Sequence, residues 1–169
     1  MSNAGPRLTP APADPFVAQH AGLVEIHHAL VGSLHAVASA ASAPLDVLVG
    51  QALAAGQFLL GHHHVETTVL FAGLRRRGRL RSADASFLDA CDREHHELHA
   101  VCERLLASAG APHPKADEIV ALAGETRAML APHVHEEEAG LAPERLRAMI
   151  TVEGLAEIAR ELETLRRGG

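Results

Sequence analysis

His62-His63-His64-Val65-Glu66 sets three imidazoles before a carboxylate, with Leu59, Leu60, Val69, Leu70 and Phe71 around them. On a helix, residues four apart share a face at about 5–6 Å. His62 and Glu66 therefore point the same way from inside an apolar stripe. An imidazole and a carboxylate aimed together into a core are costly unless something binds them, and a metal ion does so. Taken alone, the pentapeptide is equally compatible with a solvated polar patch on a helix. The same four-residue spacing recurs in His95 with His99 and in His133 with Glu137.

These residues need helices to position them, and the periodicity supplies four. The first is expected from about Pro15 to Ala41, with an apolar seam through Phe16, Leu23, Leu30, Leu34 and Val37 that has His27 at its middle. Ser42-Ala43-Pro44 reads as a stop and restart, with Ser42 as N-cap or Pro44 at the first helical position. The second helix is expected from about Leu45 to Arg77. Its seam is Leu48, Ala52, Ala55, Leu59, His62, Glu66 and Val69, and Gly78 ends it. The third, capped by Ser82 or Asp84, runs to about Ser108 and carries His95 and His99 between Leu88, Cys91, Cys102 and Leu106. The fourth starts near Pro114 and carries Ile119, Leu122, Thr126, His133 and Glu137, with Pro143 as its stop and Pro132 as an awkward interior residue. His96, His135 and Glu138 fall off these seams. A polar, amphipathic helix is expected from about Thr151 to Arg167.

Composition narrows the class. The chain has 169 residues, enough for one domain with a real core, and 13 of them are His. With no Trp or Tyr and four Phe, the core must be Leu, Val and Ala, which favours helices over a sheet. A net charge of −6 argues against a nucleic-acid binder, which needs a basic face. Arg75-Arg76-Arg77 reads as cations at a helix C-terminus. No apolar run reaches membrane-spanning length, and residues 1–14 lack the charged-then-apolar order of a signal peptide, so they read as a flexible lead-in. Cys91 and Cys102 lie about 16 Å apart along one expected helix, too far for a disulfide. A reducing, cytoplasmic setting follows.

Five histidines on the seams of four helices, with two carboxylates, point to one shared metal site: His27, His62, Glu66, His95, His99, His133 and Glu137. Short loops make neighbouring helices antiparallel, so the expected fold is all-α, an up-down-up-down four-helix bundle over residues 15–145 with a helical tail over 146–169. Imidazole with carboxylate and no thiolate suits iron, manganese or zinc. Seven ligands are too many for one ion and fit two. If both carboxylates bridge and an oxygen bridges as well, one coordination position stays open for a small exogenous ligand. A ferritin-like site would need Glu-x-x-His on two helices, and the chain offers Glu25-x-x-His28 without a second.

The set His27, His62-x-x-x-Glu66, His95-x-x-x-His99, His133-x-x-x-Glu137 resembles the hemerythrin-like (HHE cation-binding) domain over roughly residues 16–145. The local stretches Glu94-His95-His96-Glu97-Leu98-His99 and His133-Val134-His135-Glu136-Glu137 are similar to it as well. The resemblance implies a non-haem di-iron centre: one iron on His95, His99 and His133, the other on His27 and His62, with Glu66 and Glu137 bridging and the open position on the second iron. His63 in place of His62, or His28 in place of His27, is the alternative assignment. The implied function is binding of dioxygen or a related small oxidant such as peroxide, as carrier, store or sensor. A di-iron enzyme decomposing peroxide, acting as an oxidase or acting on nitric oxide is the alternative, and iron or zinc storage the third.

Overall fold

The computed structural model describes residues 14–168, and among these every regular element is a helix. The lead-in expected over residues 1–14 lies outside them except for Asp14. Helix α1 spans Pro15–Ala38 and is capped by Asp14, whose carboxylate accepts from the Phe16 amide at 3.0 Å. It ends at Ala38, three residues earlier than the periodicity implies, with Ser39 as its C-cap. Pro44 then stands as the N-cap of α2 (Leu45–Val65), where neither Ser42 as a cap nor Pro44 inside the first turn was realised.

The expected second helix is one continuous rod with an irregularity that the sequence does not announce. After α2 the chain makes a π-helical turn, Glu66–Phe71, and then resumes as α3, Ala72–Arg77. A π turn fits an extra residue into the helix and is frequent at functional sites. Here it lets Val69, Leu70 and Phe71 all be buried in succession.

Helix α4 spans Ser82–Ala109 and α5 spans Ala116–Gly140, the latter running through Pro132 without a break. The cap of α4 is a correction. Arg81 is the N-cap residue and Ser82 the first helical one. Asp84, fully buried, reaches back to accept from the Arg81 amide at 3.1 Å and from its guanidinium at 2.8 and 2.9 Å. A short helix, α6 (Pro143–Met149), follows, and α7 spans Val152–Gly168. The periodicity had left α6 unassigned.

α1 packs on α2 and α5, and α4 also packs on α2 and α5; α6 rests on α1, and α7 on α1 and the π turn. The interior divides into two apolar layers. One holds Leu30, Leu34, Leu48, Leu59, Leu98, Leu105, Ile119 and Leu130. The other holds Phe16, Leu23, Leu70, Phe71, Leu74, Leu88, Cys91, Leu141 and, from the last helices, Leu146, Leu155 and Ile158. The tail helix is thus part of the core, on the strength of two or three apolar residues in a polar sequence. Each long helix passes from one layer to the other, and at the crossing it carries histidine: His27 between Leu23 and Leu30, His62 and His63 between Leu59 and Leu70, His95 between Cys91 and Leu98, His133 between Leu130 and Leu141. The polar layer is sandwiched by construction.

Of the three consecutive arginines, Arg75 ties α3 to α4, and Arg76 and Arg77 fasten α7. Arg75 pairs across to Asp89 and Asp92 of α4 at 2.9 and 2.7 Å, Arg76 to Glu161 at 3.0 Å and Arg77 to Glu157 at 2.7 Å. Beneath them Gly73 allows close approach. A Cβ built there would lie 2.6 Å from Cγ1 of the fully buried Ile158. Gly73→Ala is expected to lose about 1–2 kcal/mol, overpacking outweighing the better helix propensity of Ala. In a urea double-mutant cycle with Ile158→Ala the two changes should be non-additive, by about 1 kcal/mol or more in the compensating direction. Strict additivity would show that Ile158 yields freely. Cys91 and Cys102 are both buried free thiols, and no helix among the described residues is long and apolar enough to cross a membrane.

Candidate metal centre

Between the apolar layers, imidazole and carboxylate atoms converge from α1, α2, the π turn, α4 and α5. Three overlapping sets have one ligand atom per residue within 4.8 Å of one another: His27 with His62 and Glu66; His63 with His95 and His133; and Glu66 with His95 and Glu137. The two carboxylates stand between the histidine groups. Glu66 Oε1 is 3.1 Å from His62 Nε2 and 3.8 Å from His27 Nε2, while its Oε2 is 3.7 Å from His95 Nε2. Glu137 Oε2 is 3.4 Å from both His27 Nε2 and His133 Nε2. Glu66 is 3% exposed and Glu137 0%.

These approaches are not hydrogen bonds. His27 Nε2, His62 Nε2 and all four oxygens of Glu66 and Glu137 are buried without a partner. Unsatisfied polar atoms of this kind are rare in folded proteins, and each calls for an explanation. The pair His95 Nε2 and His133 Nε2, 3.1 Å apart, sharpens the point. Neighbouring ligands on an ion with bonds of about 2.1 Å are about 3.0–3.4 Å apart, which is the separation seen here. Donor type, burial and spacing all fit a metal.

The outer nitrogens of three of these rings are held in place. His27 Nδ1 meets Glu138 Oε1 at 3.0 Å, His133 Nδ1 meets Glu94 Oε2 at 2.8 Å, and His95 Nδ1 meets Thr67 Oγ1 at 3.2 Å, with Thr67 in turn donating to Asp92. A carboxylate or hydroxyl behind the ring fixes its orientation and leaves Nε2 facing inward, as around bound metals generally. Sequence reasoning had set Glu138 aside as facing away and did not consider Glu94 or Thr67. Their signal is adjacency: Glu138 and Glu94 each stand beside a seam ligand, and a long carboxylate side chain can bend round to a neighbouring helix.

The electrostatics follow from burial and mutual proximity. Burial opposes the charge on His27, but Glu137 and Glu66 outweigh it and raise the imidazole to about 10. Burial lowers His62 to about 3, with the His27 charge adding to it, and lowers His95 to about 4, with His133 adding. His63 is pushed down by burial and by His95. Glu66 is raised well above the usual carboxylate range by burial and by Glu137. For Glu137 burial acts upward, yet His133 and His27 dominate and hold it below that range. The layer without metal therefore divides charge between Glu137 and its two histidines.

Of the seven seam residues, His27, His62, Glu66, His95, His133 and Glu137 enter the convergent sets. His99 does not. It is half-buried on the α4 side, and its ring lies against that of His63, centroids 5.3 Å apart. His63 enters instead. His28, the alternative to His27, is exposed.

Comparison with known proteins agrees with this chemistry. No curated protein and no solved structure gives a match. The family model for the hemerythrin HHE cation binding domain matches residues 12–144, well over half the chain and inclusive of every residue of the convergent sets. The chain belongs to the hemerythrin HHE cation-binding domain family.

Proposed function

We propose that this chain is a non-haem di-iron protein that binds dioxygen or a related small oxidant, folded as an up-down-up-down four-helix bundle with the tail helices packed on one end. The observation that carries this reading is the placing of Glu66 and Glu137. Each is buried and unpartnered, and each lies between histidines of two separate groups, as a carboxylate shared by two ions must. His27 and His62 would hold one iron and His95 and His133 the other, with zinc or manganese as chemically admissible substitutes. Iron held there would supply electrons to a small oxidant. The chain's own residues shape access and exclude water. The two reduced, buried thiols suit a cytoplasmic location.

A cavity of about 610 Å³ supports the small-ligand reading. It is walled by Leu23 and Ile26 of α1, Val65 and Leu70, and Leu162 of α7, and it reaches His62 and Glu66. The exposed Glu25, Arg160 and Glu163, with Gln19, line the rest of it, and the apolar part beside His62 and Glu66 suits a small, weakly polar ligand. Its position also agrees with an open site on the His27/His62 side. Leu23 lines it, whereas Leu30 and Leu59 lie in the other apolar layer.

The test is metal analysis of anaerobically purified protein, followed by optical spectra on adding oxygen and on adding peroxide. Two irons per chain and a reversible change with oxygen are expected. Repeated peroxide turnover with oxygen release would move the assignment to a peroxide-decomposing enzyme. No change with either would leave metal storage. The cavity carries its own prediction. Gly22 lines it, and a Cβ there meets nothing within 4 Å. Gly22→Phe should narrow the cavity without straining α1, slowing ligand association by about tenfold or more while iron content stays at the parent value. Stopped-flow spectroscopy reads the rate, and an unchanged rate would mean that ligands enter elsewhere.

A further inference from the structure

We propose that His63, rather than His99, is the third imidazole of the metal position built on His95 and His133, an inference that rests on the two-ion reading above. His63 is 1% exposed, and neither of its ring nitrogens has a partner. A buried imidazole with both nitrogens idle gains nothing over a leucine and leaves two polar atoms desolvated. A metal bond to one of them removes that penalty. Its ring is already in place, with one ligand atom within 4.8 Å of those of His95 and His133.

His99 is badly placed for the same task. It shares a face of α4 with His95, as i and i+4 must, but the inner side of that face is covered by His63. The His63 ring stacks on His95 with centroids 3.9 Å apart and planes 9° apart, and on His99 at 5.3 Å and 12°. Its centroid is 5.5 Å from that of His133. His99 lines a groove between α2 and α4 with the exposed His64 and His96, and His63 and His95 line it as well. His99 Nε2 is also buried without a partner, so the distinction rests on distance: His63, and not His99, has a ligand atom grouped within 4.8 Å of those of His95 and His133. The chain thus holds His62 and His63 in two different metal environments. His62 faces His27 and Glu66, and His63, one residue on and about 100° round the helix, faces His95 and His133. Neighbouring residues can both point inward because α2 lies against α1, α4 and α5 at once.

The test compares His63→Leu, His99→Leu and the parent for cobalt(II) uptake, by calorimetry and by the visible spectrum of the bound ion, with circular dichroism as the control for folding. His63→Leu should weaken one of two cobalt ions by at least about a hundredfold, more than loss of an outer-shell partner costs. His99→Leu should bind both within about threefold of the parent. His63→Ala provides a second measure. Millimolar imidazole should restore the lost ion in that variant, which a packing defect would not permit, and should do nothing measurable for His99→Ala. A loss in His99→Leu equal to or larger than that in His63→Leu overturns the assignment, as does failure of imidazole to rescue folded His63→Ala. A parent that takes up a single ion would sink the two-ion reading separately, and the same comparison on that ion would still decide between His63 and His99.

Discussion

Glu137→Gln is expected to cost the metal-free protein about 3–5 kcal/mol, and Glu66→Gln less than about 1 kcal/mol, although the two carboxylates sit a few ångströms apart in the same layer. The difference lies in their protonation. Glu137 is held below the usual carboxylate range because His133 and His27 face it at 3.4 Å, against the upward push of burial. It is the anion of a buried group of charges. Replacing it by an amide leaves the His27 imidazolium, raised to about 10 by those same carboxylates, without its main counter-charge. Glu66 is shifted upward by burial and by the neighbouring Glu137, so it carries less of the layer's negative charge than Glu137 does, and glutamine is nearly isosteric with its protonated form. The pH dependence carries the same sign information. A depressed Glu137 contributes stability that is fully present above its unfolded value of 4.5 and is lost as pH falls below it. His27 contributes stability fully present below 6.5 that is lost as pH rises through about 10. Urea melts of the two variants and the parent in chelator at pH 7 provide the measurement. Equal losses would refute the division of charge. With iron present both variants should fall behind. On the proposed reading, iron a hundredfold above its dissociation constant would stabilise the parent by about 2.7 kcal/mol for each independently bound ion, or roughly 5–10 °C for a chain of this size, and neither amide would replace the carboxylate as an anionic ligand.

How far the sequence reveals this centre depends on what fixes each residue. His27, His62, Glu66, His95, His133 and Glu137 are legible because spacing of three and four residues records a helix face directly, and their helices do pack with those faces inward. The all-helical class is legible for the same reason, reinforced by a core without Trp or Tyr. The π turn at Glu66–Phe71 is not legible. It is a change of hydrogen-bonding pattern within a stretch that contains neither Gly nor Pro, so no residue marks it. Yet it changes the rotation of α3 relative to α2. Choosing between His63 and His99 requires knowing how α2 and α4 are turned towards each other, which no single helix face records. Glu94, Glu138 and Thr67 are missed by seam counting because they reach their histidines by side-chain length from off-seam positions. The core role of α7 is missed because Leu155 and Ile158 are few among charged neighbours, and their burial depends on a gap at Gly73 far away in sequence.

Metal affinity should rise steeply with pH, by about tenfold per unit for each proton released on binding. The groups that face the centre can be divided by the direction of their shifts. From α1, His27 is raised to about 10, and from α5, His133 is raised because Glu137 and Glu94 outweigh burial. From the π turn, Glu66 is raised well above the carboxylate range. At neutral pH His27 carries its proton and must lose it to offer a lone pair to an ion; the upward shifts of His133 and Glu66 act in the same direction. The remaining groups require no such step. His62 at about 3, His95 at about 4 and His63, also lowered, are neutral imidazoles at pH 7, and Glu137 is already ionised. The sign is therefore fixed by His27, His133 and Glu66. Lowering the pH increases the protons to be displaced and weakens binding; raising it strengthens binding until His27 titrates near 10. Between pH 6 and 8, release of one proton per ion implies about a hundredfold gain in affinity for each. Calorimetry with zinc in two buffers of different ionisation enthalpy counts the protons. In Glu66→Gln the count should fall, since the amide has none to give. A count of zero in the parent would mean that the centre awaits its metal fully deprotonated, and that the charge balance between Glu137, His27 and His133 is not the one described.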